Sequence, residues 1–227
     1  SPRPTAGRPG ADRDRGEARR RGGGPAGVRV RAVVPQKWLL RAKGRLGSVL
    51  PEEARAALSL ALLKSVCGVL RATAGVEDVV VMTPDPAVRD HAAACGIRGI
   101  FDPRPGLNDA LAGAFRVLSI TGGGLLVVAG DLPLLQPADV AALLDCGEAR
   151  TLVLAPSRDV AGTNALLLPP GVVVRPAFGL GSRRGHQTLA RRLGLRVVEV
   201  HRPGLAFDLD TPADLAALRG WRAAAQP

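Results

Sequence analysis

The apolar run Leu125-Leu126-Val127-Val128-Ala129 reads as a buried central strand, and Gly130-Asp131-Leu132-Pro133 follows it at once. A carboxylate at the carboxyl end of a central strand stands where open α/β sheets take their ligands. Asp131 there suits a divalent cation, and such a cation would hold phosphates. The plainer alternative is a helix N-cap, but Asp131 lies too far upstream of the Gln136-Pro137-Ala138-Asp139 helix start to fill that role. A second acidic segment is Phe207-Asp208-Leu209-Asp210-Thr211-Pro212-Ala213-Asp214. Thr211 as N-cap, Pro212 at the first helical position and Asp214 in the first turn need no function. Asp208 and Asp210 have no basic neighbour in sequence and read as further metal ligands.

Between these acids stand residues suited to anions. Gln36 to Leu46 carries Lys37, Arg41, Lys43 and Arg45, with no acid in sequence until Glu52. Four cations directly after a first strand suit a triphosphate, the alternative being a solvated basic face. The glycine-rich cradle of a Walker A loop is missing. Phe178-Gly179-Leu180-Gly181-Ser182 opens a helix that carries His186, and backbone N–H groups at such a start favour negative charge. Ser182 is open to two readings, N-cap or anion ligand. Asn108, at another helix start, is likewise either a cap or a ligand contact.

The elements that must position these residues alternate. Strands are expected near residues 28–34, 79–82, 98–101, 125–129, 151–155, 165–168 and 197–201. Helices are expected from Pro51 to about Thr73, Pro86 to Cys95, Asn108 to about Ser119, Ala138 to Leu144, the Ser182 region to about Leu193, and from Pro212 onward. That alternation implies an α/β fold, a three-layer αβα arrangement on a mostly parallel sheet. Residues 1–27, with seven arginines against three acids among Gly and Pro, read as a disordered basic tail, leaving 28–227 as one domain.

Composition sets limits on function. Hydrophobic residues make up 46% but aromatics only 3%, so Leu, Val and Ala must build the core. Three widely spaced cysteines argue for a reducing, cytoplasmic setting and against a disulfide framework or zinc site. No apolar run has the length of a membrane span. The net charge of +11 invites a nucleic-acid reading, but +4 of it lies in the tail, and few aromatics are available to stack bases. A pocket for small polyanions suits the remainder.

The chain resembles the guanylyltransferases that act on 2-phospho-L-lactate or phosphoenolpyruvate in the biosynthesis of the deazaflavin coenzyme F-420. The resemblance runs from about Val28 to Leu218. It is carried by Val34-Pro35-Gln36-Lys37 with Lys43-Gly44-Arg45-Leu46, Gly106-Leu107-Asn108, Asp131-Leu132-Pro133, Gly162-Thr163-Asn164, Phe178 to Ser182 with His186, and Asp208 to Pro212. It implies a nucleotide-diphospho-sugar transferase-like (GT-A-like) fold, with GTP as donor, a phosphorylated three-carbon acid as acceptor, Mg²⁺ and released pyrophosphate. Residue by residue it implies magnesium at Asp131 with Asp208 or Asp210, and GTP phosphates at Lys43 and Arg45. Thr163, Gly179 and Ser182 would receive the acceptor. Asp131, Lys43 and Arg45 are then the expected catalytic residues, with Lys37 and Asn108 added on the GTP side. Neither nucleic acid nor membrane is expected as a partner, and a homodimer is compatible with the sequence.

Two departures stand out. Where the family commonly shows Gly-Thr-Gly-Thr-Asn, this chain has Val160-Ala161-Gly162-Thr163-Asn164, and its usual lysine-proline pair is here Lys37-Trp38. The remaining alternatives are a nucleotidyltransferase of the same fold with a molybdopterin or sugar-phosphate acceptor, and a basic nucleic-acid-binding protein.

Overall fold

The computed structural model describes residues 29–104, 106–119 and 122–224. The expected tail therefore lies outside the described residues. Seven strands form one sheet: β1 Val30–Pro35, β2 Val76–Thr83, β3 Arg98–Phe101, β4 Gly124–Val128, β5 Thr151–Pro156, β6 Thr163–Leu168 and β7 Arg196–Glu199. Their order across the sheet is β3-β2-β1-β4-β6-β5-β7. β6 alone runs against its neighbours β4 and β5, and the other pairings are parallel. The expected mostly parallel α/β sheet is thus observed.

The helices are α1 Glu52–Ala72, α2 Pro86–Ala94, α3 Leu107–Leu118, α4 Pro137–Asp145, α5 Ser182–Arg192, α6 Pro203–Ala206 and α7 Pro212–Ala224. The short α6 has no counterpart in the expectations, since four residues are too few to show periodicity. Alternation along the strands sorts side chains to two cores. Leu126 and Val128 of β4 pack with Leu63, Val66 and Leu70 of α1 and with Val140 and Leu143 of α4. Leu125 and Val127 pack on the opposite side with Leu111 and Phe115 of α3 and Ala190 of α5. Both faces of β4 are covered, which is why its sequence is apolar without a gap. Among the described residues no helix is long and apolar enough to cross a membrane.

From β1 the chain winds outward through β2 to β3, then returns to place β4 on the other flank of β1. This reversal opens a crevice beyond the carboxyl ends of β1 and β4, the position where doubly wound sheets receive ligands.

Candidate active site

A cavity of about 810 Å³ lies beyond those strand ends. One wall is the segment after β1, with Lys37, Arg41, Lys43 and Arg45. The opposite wall is Gly162, Thr163, Phe178, Gly179 and Ser182, and the floor is Asp131 with Asp208 and Asp210. The cations, acids and acceptor residues expected from sequence therefore converge on one cavity.

The acidic floor is assembled by an extended segment of period two. Phe207 and Leu209 are buried against Leu46, Leu62 and Leu218, so Asp208 and Asp210 are turned together toward the cavity. The Leu209 N–H donates to the Asp131 carbonyl at 3.1 Å, fastening this segment to the turn after β4. Asn164 holds it from the other side, its Nδ2 donating to the carbonyls of Leu205 at 3.0 Å and Ala206 at 3.2 Å and to Asp208 Oδ1 at 3.4 Å. The capping arrangement expected at Thr211 forms: its N–H donates to Asp214 Oδ2 at 2.8 Å, and the Asp214 N–H to Thr211 Oγ1 at 3.3 Å. Burial alone would raise the Asp214 carboxyl, but bonds from Thr211, Asp210 and Arg158 outweigh it and hold it below the usual range.

Two of the cations after β1, Lys43 and Arg45, are paired, although their sequence neighbourhood suggested otherwise, and Asp210 is not without a base. Lys43 has a side chain only 5% exposed, and its Nζ donates to Asp131 Oδ2 at 2.6 Å and to Asp210 Oδ1 at 3.2 Å. Arg45 Nη1 lies 3.6 Å from Asp210 Oδ2. These pairs join residues that are remote in sequence, and only the folded chain brings them together. Lys43 reaches inward from a left-handed backbone at φ 53°, unusual for a residue with a Cβ. Two 3-10 turns, Leu39–Arg41 and Gly44–Leu46, shape the loop around it.

Among the described residues no group of three or more His, Cys, Asp or Glu side chains is gathered as a metal cluster. The Lys43 ammonium stands between Asp131 and Asp210 instead. Asp208 has no cationic partner among the described residues. Burial raises its carboxyl first, and the negative charge of Asp131 adds to that. A cation would relieve both, and the donors are hard carboxylate oxygens, a set that suits a hard divalent cation.

At two helix starts the expectations are corrected. Ser182 is not the N-cap of α5; Gly181 is, in the left-handed conformation at φ 67°, and Ser182 is the first helical residue. Nor does Asn108 cap α3, whose N-cap is Gly106, or line the cavity. Its Nδ2 donates to the Phe178 carbonyl at 2.9 Å, and its Oδ1 accepts from the Phe178 N–H at 2.8 Å. Both ends of the amide are spent on holding the loop before Gly179. Gly179 has φ 121°, with nothing within 4 Å of an added Cβ, so backbone conformation and not crowding demands glycine there. Arg183 is committed to Glu199, to which Nε and Nη2 both donate at 2.9 Å.

His186 was noted in sequence but given no role. It is buried on α5, one turn beyond Ser182, with Nδ1 3.1 Å from Thr163 Oγ1 and Nε2 accepting from the Ala177 N–H at 3.0 Å. Nothing local in the sequence pointed to these partners, which come from two separate segments remote from α5. The turn before β6 is tied to the same helix, the Arg183 N–H donating to the Ala161 carbonyl at 3.2 Å. Val160 in that turn has φ 60°, so the position at which the resembled family has glycine keeps the backbone that glycine favours.

Several surface arginines are ion-paired. Arg29–Glu77, Arg98–Asp78, Arg104–Asp102, Arg158–Asp214, Arg175–Asp109 and Arg202–Asp139 all pair.

Known proteins resemble this chain in sequence and in fold. A protein named phosphoenolpyruvate guanylyltransferase from Rubrobacter xylanophilus is 48% identical over 191 residues, covering 83% of this chain and 93% of that protein. One of the same name from Sphaerobacter thermophilus is 42% identical, covering 83% and 92%. Among solved structures, a candidate nucleotide-diphospho-sugar transferase from Desulfovibrio desulfuricans G20 superposes with TM-score 0.73 at 16% identity, covering 87% of this chain and 89% of that one. A 4-diphosphocytidyl-2C-methyl-D-erythritol synthase superposes with TM-score 0.61 at 16% identity, covering 85% and 97%. These two likenesses bear on the fold, which is that of the nucleotide-diphospho-sugar transferases. The family described as guanylyl transferase CofC like matches residues 30–219, and with such a span and such relatives this chain belongs to that family.

Proposed function

We propose that this protein transfers GMP from GTP to the phosphate of a small phosphorylated acid, phosphoenolpyruvate or 2-phospho-L-lactate, in coenzyme F-420 biosynthesis. The observation that carries the reading is the division of one cavity into a cationic wall, an acidic floor and a hydroxyl-lined wall at a helix start. The names of the relatives from Rubrobacter xylanophilus and Sphaerobacter thermophilus support guanylyl transfer to phosphoenolpyruvate.

The chemistry asks little of a general base, because the acceptor phosphate is already anionic at neutral pH. An acceptor phosphate oxygen attacks the α-phosphorus of GTP, one P–O bond forms, and the bond to the β-phosphate oxygen breaks to release pyrophosphate. Lys37, Arg41, Lys43 and Arg45 bind the triphosphate and take up the charge that grows on the leaving pyrophosphate. Thr163, Gly179 and Ser182 hold the acceptor, by a hydroxyl and by N–H groups at the start of α5. Asp131, Asp208 and Asp210 would hold Mg²⁺, which when bound supplies charge neutralisation at the phosphates. Lys43, between two of these carboxylates, keeps the floor balanced while the cavity is open.

Mass spectrometry of the products from each of GTP, CTP and ATP, paired with phosphoenolpyruvate, 2-phospholactate or 3-phosphoglycerate, tests the reading. A guanylylated three-carbon acid with pyrophosphate is expected. A product only from CTP, or only from a molybdopterin or sugar-phosphate acceptor, would replace it with another nucleotidyltransferase activity.

A further inference from the structure

We propose that His186 is a positioning residue that fixes the Thr163 hydroxyl as a hydrogen-bond donor aimed at the anionic acceptor. The inference rests on the reading that Thr163 faces the acceptor. A backbone amide can only donate, so the Ala177 N–H, 3.0 Å from Nε2, requires that nitrogen to be unprotonated. In a neutral ring the proton then sits on Nδ1, where it is donated to Thr163 Oγ1 at 3.1 Å. With an accepting lone pair occupied, the hydroxyl turns its own hydrogen away from the ring. Among the described residues Thr163 Oγ1 has no second side-chain partner, and Thr163 lines the cavity.

The surroundings hold this tautomer. His186 is fully buried, and its ring meets Phe178 edge-on with centroids 4.7 Å apart and planes at 72°. Burial pushes its pKa down to about 4, so the ring is neutral at physiological pH. Ser182 and His186 are four residues apart on one face of α5, and Ser182 and Thr163 both line the cavity. Gly185 lets the helix approach, because a Cβ there would lie 2.8 Å from the Ala177 Cβ. A core histidine kept only for packing would account for the burial, but two directed bonds also turn the hydroxyl hydrogen of Thr163 away from the ring.

Two amide substitutions separate the ring nitrogens. In His186→Asn the amide stands near Nδ1 and can still donate to Thr163; in His186→Gln it stands near Nε2 and keeps only the Ala177 bond. Relative to His186→Asn, His186→Gln is expected to raise the KM for the acceptor about tenfold, with the KM for GTP and kcat little changed. In a Thr163→Val background the same pair should differ by less than twofold. If Thr163→Val alone leaves the acceptor KM unchanged, the acceptor reading of Thr163 fails. If Thr163→Val raises it but the Asn and Gln variants do not differ, the positioning role fails while that reading survives. ¹⁵N NMR of the wild-type imidazoles, only three in the chain, reads the tautomer without reference to activity. A proton on Nδ1 alone is expected, and a proton on Nε2 at neutral pH overturns the proposal.

Discussion

Lys43 combines a left-handed backbone with a buried ammonium, and replacing it by glycine and by alanine separates the two. Both substitutions remove the bonds from Nζ to Asp131 at 2.6 Å and to Asp210 at 3.2 Å. Breaking a fully buried ion pair costs about 3–5 kcal/mol, but the side chains of Asp131 and Asp210 are 29% and 41% exposed and keep part of their water. A loss of about 1–2 kcal/mol is expected in both variants. They part at the backbone, where φ is 53°. Glycine relieves about 1–2 kcal/mol of left-handed strain and forfeits about 0.5–1 kcal/mol of chain entropy. Lys43→Gly should therefore be more stable than Lys43→Ala by about 0.5–1 kcal/mol, or roughly 1–4 °C in Tm. Losing a charge-assisted bond to phosphate costs about 1.5–3 kcal/mol, so both variants should lose roughly 10- to 150-fold in kcat/KM for GTP. Calorimetry without nucleotide, with initial rates of pyrophosphate release, reads both quantities. Alanine equal to or more stable than glycine would refute the backbone argument, and wild-type kcat/KM in either variant would refute the phosphate role.

Asp131→Asn should reduce turnover by about 10³-fold or more with Tm within a few degrees of wild type, and Asp208→Asn should weaken Mg²⁺ dependence in the same assay. Wild-type rates in both would remove the metal assignment. Asn108→Leu should raise the acceptor KM through a loosened Phe178 loop while leaving the GTP KM unchanged, whereas a selective rise in GTP KM would return Asn108 to the nucleotide side. Val160→Gly should raise Tm by a few degrees, because a β-branched residue at φ 60° carries about 1 kcal/mol or more of strain; an unchanged or lower Tm counts against it. His186 has a folded pKa of about 4 against 6.5 unfolded, so the unfolded chain binds the extra proton between them. Its contribution is complete above about pH 6.5 and is lost as pH falls toward 4, amounting to on the order of 3 kcal/mol. Denaturant titrations should show that slope in wild type and a shallower one in His186→Asn, and equal slopes would exclude burial of a neutral ring.

The sequence by itself determined the α/β alternation, because strand and helix periods are local properties of hydrophobic spacing. The pairing of two carboxylates on one short segment was also legible, since Asp208 and Asp210 stand two residues apart. The Thr211–Asp214 cap was legible for the same reason, its partners being three residues apart. Tertiary structure alone decided what long-range partners do to a side chain. Lys43 looks free in sequence but is clasped by Asp131 and Asp210, which come from the turn after β4 and the segment before α7. Asn108 looks like a cap or a ligand contact, yet its amide is consumed by Phe178, seventy residues on. His186 could not be assigned until Thr163 and Ala177 were set at its two nitrogens. Residue type and local spacing limit what a side chain can do, but a hydrogen bond is a matter of a few ångströms, and only the packing of remote segments sets that distance.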